Sequence, residues 1–154
     1  MNFIFLTKDF FNDHKDLKEI EIKNTRPYIM INVNINNIEF ALPLRSGITH
    51  KHCYFTNKAD NCGVDYSKSV IIDDEKYIDS KKPYIRSNEF KVLKGKDHII
   101  KKRMEKYILD YMKAISKKHI REYNDLCRYS TLQNYHTEIG IVDAQEEAAA
   151  TKEI

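Results

Sequence analysis

The sequence has little of what marks several protein classes: four glycines, three prolines and no tryptophan in 154 residues. So few glycines and prolines exclude collagen-like and low-complexity chains, which need these residues in abundance. The three cysteines, Cys53, Cys62 and Cys127, are odd in number and form no C-x-x-C pair. This argues against a secreted disulfide framework, and we expect reduced thiols.

Long apolar runs are also missing. No stretch approaches the roughly 18 apolar residues of a membrane-spanning helix, and Met1–Leu6 is too short for a signal peptide before Lys8 and Asp9. We therefore expect a cytoplasmic protein with no membrane partner. The length fits one domain, predicted over 1–143 and followed by a frayed tail over 144–154.

Charge is present but unevenly distributed. The formal net charge is only +3, yet residues 91–121 hold eleven lysines and arginines against three carboxylates, and residues 138–154 carry a net charge of −4. A concentrated positive charge is typical of proteins that bind polyanions, because neutralised phosphates release counterions. The alternative is a helix face that is merely solvated.

Alternating apolar residues predict an early β-hairpin. They run along Tyr28–Ile35 and Ile38–Leu44, on either side of Asn36 and Asn37, which tolerate the left-handed backbone of a tight turn. Further short strands are predicted around Phe3, over His52–Thr56 and over Tyr66–Ile72.

A three- and four-residue apolar spacing between Ile100 and Ile115 predicts a long helix over Asp97–Lys118, with a basic outer side. Shorter helices are predicted after Thr7, over Ser87–Leu93, over His119–Tyr129, and from the capping pattern at Ser130 to Gly140. Together these elements predict an α+β fold with an antiparallel sheet of about five to six strands surrounded by helices.

Reactive side chains are densest between Arg45 and His52, in the run R-S-G-I-T-H-K-H. Cleaving RNA without a metal requires a base for the 2′-hydroxyl, an acid for the 5′-oxygen and cations over the phosphate. Ser46, His50, Lys51 and His52 offer these groups, so they are the candidate catalytic residues. Arg45 and Thr49 are candidate RNA-binding residues beside them.

The geometry of this segment is left open. In a strand, His50 and His52 would share one face and could flank a phosphate; in a loop, that argument lapses. One alternative is a buried His–Ser hydrogen-bond network without chemistry. Another is a zinc site formed by His50, His52, Cys53 and Cys62, although their spacing matches no standard zinc motif.

Other candidates for RNA contact are spread along the chain. Tyr66 offers a ring for base stacking and Lys68 an ammonium for phosphate, unless they are only polar groups at a strand edge. Arg26 could reach the groove of Ser46, or be an exposed loop residue. The remaining candidates are Tyr28, Asp65, Lys94, Lys96, Lys101, Lys102 and Arg103.

Several segments, in order, carry a resemblance over most of residues 1–140. They are the hairpin ending in Pro43-Leu44-Arg45-Ser46, His50-Lys51-His52, Asp65-Tyr66-Ser67-Lys68-Ser69, Asn88-Glu89-Phe90 with Leu93-Lys94-Gly95-Lys96, and the run from Ser130 to His136. In this order they resemble the toxins of type III toxin–antitoxin systems. This is the ToxN/AbiQ superfamily, and the CptN and TenpN branch is the most similar.

The resemblance implies a compact, highly twisted antiparallel sheet, distantly like the MazF and Kid toxins. It implies a metal-independent endoribonuclease without a cofactor, which cleaves adenosine-rich single-stranded RNA, including mRNA, to a 2′,3′-cyclic phosphate and a 5′-hydroxyl. The implied partner is a small, pseudoknotted antitoxin RNA, processed by the toxin from a repeat precursor, which inhibits it in a closed protein–RNA ring.

The resemblance carries over unevenly to individual residues. Ser46 matches the serine of the family's groove, and Arg26 stands where the ToxN branch has a functional lysine. Ile48 stands where that branch has its catalytic lysine, so the resemblance moves the basic role to Lys51 or its flanking histidines. Two rival functions stay open: a non-catalytic RNA-binding module and a zinc-stabilised interaction domain.

Overall fold

The predicted hairpin forms the centre of the fold. The computed structural model describes residues 1–20 and 28–141. Its strands are β1 (Asn2–Ile4), β2 (Met30–Ile35), β3 (Ile38–Arg45), β4 (Cys53–Asn57), β5 (Cys62–Asp65) and β6 (Val70–Ile71). Its helices are α1 (Lys8–Asp13), α2 (Ser87–Leu93), α3 (Asp97–Ile115) and α4 (Arg121–Arg128), with 3₁₀ turns at Tyr66–Lys68, Glu75–Tyr77 and Thr131–Asn134.

All strand pairs in the six-stranded sheet are antiparallel. The order is β1-β2-β3-β5-β4, and β6 pairs with the first half of β3 while β5 pairs with its end. The turn between β2 and β3 has positive φ at both Asn36 and Asn37, as the hairpin prediction requires. The predicted α+β class with an antiparallel sheet of about six strands is confirmed.

The two faces of the hairpin bury two different cores. On one face, Ile31, Phe40 and Leu42 pack in the cluster that also contains Ile100, Met104, Tyr107 and Tyr111 of α3. On the other face, Met30 and Ala41 pack with Phe10 of α1. Alternation along each strand sends neighbours to opposite faces, so the period of two decides which helix each residue meets.

Two predicted elements differ from the structure. The strand predicted over Tyr66–Ile72 is interrupted: β5 ends at Asp65, whose side chain caps the 3₁₀ turn that follows it, and only Val70 and Ile71 pair again. The helix predicted from Ser130 to Gly140 is a 3₁₀ turn over Thr131–Asn134. There the Gln133 amide donates to the carbonyl oxygens of Arg128 and Ser130.

The tail predicted over 144–154 lies outside the described residues. Among the helices of the described ranges, none has the length and apolarity to cross a membrane.

Candidate functional site

The segment richest in reactive groups is a loop. β3 ends at Arg45, the chain turns at Gly47 with φ +66°, and β4 begins at Cys53. Ile48 anchors the loop: its side chain is buried, and its N–H donates to the Asn61 carbonyl oxygen at 3.0 Å. Of the two geometries left open by the sequence, the loop is the one observed, so the strand argument for His50 and His52 does not apply, although their rings lie 5.7 Å apart between centroids.

This loop forms one wall of a cavity with a volume of about 670 Å³. We call this cavity the main groove. The opposite wall is α4 and the residue after it, with Glu122, Asp125, Leu126 and Tyr129. The loop side holds Arg45, Ile48, Thr49, His50, Lys51 and His52, with Ser67 and Lys68 beside them. Six sequence-predicted residues are thus brought together: Arg45, Thr49, His50, Lys51, His52 and Lys68.

A buried carboxylate organises the floor of the groove. Asp65 is fully buried and accepts hydrogen bonds from Arg45 Nη1 at 2.6 Å, from Ser67 Oγ at 2.6 Å and from the Ser67 N–H at 2.9 Å. His50 Nε2 lies 3.3 Å from it. Burial raises the pKa of Asp65, but the hydrogen bonds from His50, Ser67 and Arg45 outweigh this and hold the pKa below its ordinary value. We call Arg45, His50, Asp65 and Ser67 the Asp65 network.

The hydrogen bonds of His50 decide which nitrogen carries its proton. The backbone N–H of His52 donates to His50 Nδ1 at 3.0 Å, so in the neutral ring the proton lies on Nε2. That nitrogen faces both Asp65 and Ser67 Oγ, the latter at 3.2 Å. The arrangement is not a nucleophile–histidine–aspartate triad, because Ser67 donates to Asp65 and both ring nitrogens of His50 are occupied.

His52 has the opposite character. Within the described residues its ring nitrogens have no hydrogen-bond partner, and its ring contacts are with His50 and with Tyr107 at 5.6 Å between centroids. Burial lowers the pKa of His52 below 6.5, and the charges of His50 and Lys51 lower it further. A half-buried imidazole with an open nitrogen and a lowered pKa is neutral at pH 7 and suited to accept a proton.

Cations flank the two histidines. Lys51 is 75% exposed, and its Nζ lies 3.3 Å from Glu122 Oε1 across the groove. Lys68 is more enclosed and donates to Glu19 Oε2 at 2.8 Å and to the Tyr129 carbonyl oxygen at 2.9 Å. Arg45 reaches from Asp65 to the ring of Tyr28, 5.9 Å from its centroid. The groove thus offers donors for a phosphate around a neutral imidazole.

Three sequence predictions need correction. Ser46 is exposed and does not line the groove, so the serine beside His50 is Ser67. Asp65 is sealed inside the Asp65 network and cannot contact RNA. Tyr66 is 2% exposed and its hydroxyl donates to the Ile100 carbonyl oxygen at 3.1 Å, so its ring cannot stack on a base.

The remaining candidates lie elsewhere. Arg103 lies beside Lys51 and His52 in a smaller cavity, with its guanidinium 4.9 Å from the centroid of the Tyr54 ring. Tyr28 lines a narrow pocket behind Arg45. Arg26 lies outside the described residues. The other four cations line none of the described cavities; they are Lys94, Lys96, Lys101 and Lys102.

Sequence reasoning missed Ser67 and the whole α4 wall. Ser67 was visible as part of Asp65-x-Ser67, a pattern in which a carboxylate caps the N–H two residues on. Nothing in the pattern of Glu122, Asp125 and Leu126 pointed to a groove. In the described parts of the chain, no group of three or more His, Cys, Asp or Glu side chains could hold a metal ion, so the zinc alternative lacks geometric support.

Comparison with known proteins adds no assignment: no family model matches the chain, and neither a curated protein nor a solved structure is significantly similar to it. The resemblance to type III toxins therefore stays a prediction from the order of its motifs.

Proposed function

We propose that this protein is an endoribonuclease that cleaves single-stranded RNA without a metal ion, by attack of a 2′-hydroxyl on the adjacent phosphate. One observation carries the proposal. His52 is a half-buried imidazole with a lowered pKa and no hydrogen-bond partner in the described residues, and it lines the main groove beside Lys51. A base near neutral pH beside phosphate-binding cations is what this reaction requires.

In the proposed reaction, His52 removes the proton of the 2′-hydroxyl. The 2′-oxygen then forms a bond to phosphorus while the bond from phosphorus to the 5′-oxygen breaks. The leaving oxygen takes a proton from the Lys51 ammonium, and the products are a 2′,3′-cyclic phosphate and a 5′-hydroxyl. Arg45, with its guanidinium fixed on Asp65, and Lys68 stabilise the charge on the phosphorane.

His50 has a different role in this proposal. Because both of its ring nitrogens are occupied inside the protein, it cannot exchange a proton with RNA without losing one of these hydrogen bonds. Its Nδ1 instead fixes the backbone of His52. We therefore assign His50 as a positioning residue and His52 as the base.

The decisive experiment is cleavage of single-stranded RNA in excess EDTA by the wild-type protein, His50→Ala and His52→Ala. We expect EDTA to leave the wild-type rate unchanged and His52→Ala to lower it by about 10²–10⁴-fold. His50→Ala should cause a smaller loss, and the products should carry 2′,3′-cyclic phosphates. If His52→Ala cleaves RNA at the wild-type rate, His52 is not the base. If the wild-type protein stops cleaving in EDTA, the reaction is not independent of metal.

The motif order supports a more specific proposal: a cytoplasmic toxin that acts on mRNA, prefers adenosine-rich sites and is inhibited in a closed ring by its own pseudoknotted repeat RNA. The DNA upstream of the gene tests this directly. Short tandem repeats that end in a terminator-like stem are expected there. Their absence, or failure of the transcribed repeats to inhibit cleavage, would contradict the toxin–antitoxin assignment.

The rival function is a module that binds RNA without cleaving it, and the saturated Asp65 network is the observation that favours it. The polar groups on the floor of the groove are paired with one another, so they can serve only to hold the loop in place. The groove would then bind phosphate without taking part in a reaction. This alternative predicts retention of RNA that weakens with salt and leaves the strand intact.

A further inference from the structure

The loop that carries Lys51 and His52 borders more than the main groove. Two further cavities, of about 330 Å³ and 220 Å³, are also lined by these two residues, and both share Lys106 and Asp110. They therefore adjoin each other. The larger lies between α3 and α4, and its remaining lining residues are Lys113, Glu122, Tyr123 and Leu126. We call the two together the α3–α4 cleft.

The cleft carries a net positive charge. Its cations are Lys51, Arg103, Lys106 and Lys113, against the carboxylates of Asp110 and Glu122, which leaves a net charge of +2. Both carboxylates are paired within the cleft: Lys106 Nζ donates to Asp110 Oδ2 at 2.9 Å, and Lys51 Nζ lies 3.3 Å from Glu122 Oε1. Single-stranded nucleic acids are bound by such cationic tracks.

The cleft also contains an aromatic ring next to its cations. Tyr123 is half-buried in the cleft, and Lys113 Nζ and Lys117 Nζ each lie 5.9 Å from its ring centroid. Arg103, which lines the smaller cavity, lies over the ring of Tyr54, which lines neither cavity, so Tyr123 is the ring that the cleft offers to a base. Rings that can stack on bases, next to ammonium groups that can contact phosphates, are the two components of sequence-tolerant binding to single strands.

His52 lies where the main groove and the α3–α4 cleft meet. It lines both, so an RNA strand with its scissile phosphate at His52 can extend along the main groove on one side of that phosphate and into the cleft on the other. We propose that the α3–α4 cleft binds the nucleotides on one side of the scissile phosphate, through Lys106 and Lys113. This inference rests on the proposed function, since that function places the phosphate at His52.

The test uses 2′-O-methyl RNA, which cannot undergo the reaction, so that binding is measured apart from cleavage. Fluorescence anisotropy compares a dinucleotide with a hexanucleotide on the wild-type protein and on Lys106→Gln/Lys113→Gln. The wild type should bind the hexanucleotide more tightly than the dinucleotide. The double variant should lose about tenfold in hexanucleotide affinity, as expected for two exposed charge contacts, with dinucleotide affinity retained. The slope of the logarithm of its hexanucleotide binding constant against the logarithm of the salt concentration should fall in magnitude by roughly 1.4.

The matched control is Lys58→Gln/Lys82→Gln, which removes two exposed lysines that line none of the described cavities. Equal losses in the two double variants, or a wild type that binds both lengths equally, would overturn the cleft as an RNA site. A protein that binds the hexanucleotide through the cleft but leaves unmodified RNA intact would retain this inference and lose the proposed enzymatic activity.

Discussion

The two sides of the loop between β3 and β4 differ in how completely their polar groups are paired. On the inner side, the Asp65 network has a fully buried carboxylate that accepts hydrogen bonds from Arg45, Ser67 and His50. On the outer side, and among the described residues, the ring of His52 has no hydrogen-bond partner and Lys51 pairs only with the exposed Glu122. Two histidines two residues apart therefore differ in what they can do: the paired one holds the loop, and the open one is available to a ligand.

The sharpest way to break this comparison is Asp65→Asn. The amide removes the negative charge that Arg45 faces and places an N–H₂ group among donors, so we expect a loss of about 3 kcal/mol in the free energy of unfolding. Denaturant unfolding measures it. If the outer side alone holds the loop, the variant will be as stable as the wild type.

The pH dependence of the free energy of unfolding gives a second test of Asp65, because the direction of the effect follows from its lowered pKa. Because the folded protein lowers the pKa of Asp65, its carboxylate contributes stability that is present above the unfolded value of about 4 and lost as pH falls through the folded pKa. The wild type should therefore lose more stability below pH 4 than the variant does.

The pH profile of cleavage examines the outer side. As a base, His52 must be unprotonated, so kcat/KM should be constant near pH 7 and fall about tenfold per pH unit below its pKa, which lies under 6.5. Lys51 contributes to the lowering, so Lys51→Gln should move the acid limb to higher pH as well as slow the reaction. An acid limb above pH 6.5 in the wild type would contradict the assignment.

Ser67→Ala compares the serine found in the network with the serine suggested by resemblance. Ser67 Oγ donates to Asp65 and lies 3.2 Å from His50, so its loss should lower the free energy of unfolding by about 1–2 kcal/mol and slow cleavage. Ser46→Ala removes an exposed hydroxyl outside the groove and should do less in both assays. A larger cleavage defect in Ser46→Ala than in Ser67→Ala would support the catalytic role that the resemblance implies for Ser46.

The smallest expected effect has the opposite sign. Glu122→Gln removes the carboxylate that pairs with Lys51 at the border of the two cavities. In this variant, RNA no longer competes with Glu122 for the Lys51 ammonium. The affinity of the protein for RNA should therefore rise, by up to about fivefold for an exposed pair. Glu75→Gln is the matched control, because Glu75 is exposed and lines none of the described cavities. Weaker binding by Glu122→Gln would show that this carboxylate contacts RNA directly.

Local patterns predicted the regular elements well where one period ran without interruption. The hairpin, the short helix after Thr7 and the long helix α3 follow the sequence within a few residues, because alternation and helical spacing are properties of the chain itself. Prediction failed between Tyr66 and Ile72, where the apolar character of a strand was present. There the side chain of Asp65 captures the N–H of Ser67 and ends the ladder.

For the candidate site, the sequence by itself determined which reactive groups stand together: Arg45, His50, Lys51 and His52 fall within eight residues, and their chemistry follows from residue type. Only the tertiary structure decided their roles. Asp65 lies at the end of β5, Ser67 lies in the turn that follows it, and Glu122 lies in α4. Whether the ring of each histidine is paired or open therefore depends on contacts between segments far apart in the chain. A hydrogen bond needs both partners in place, and one-dimensional patterns specify only one of them.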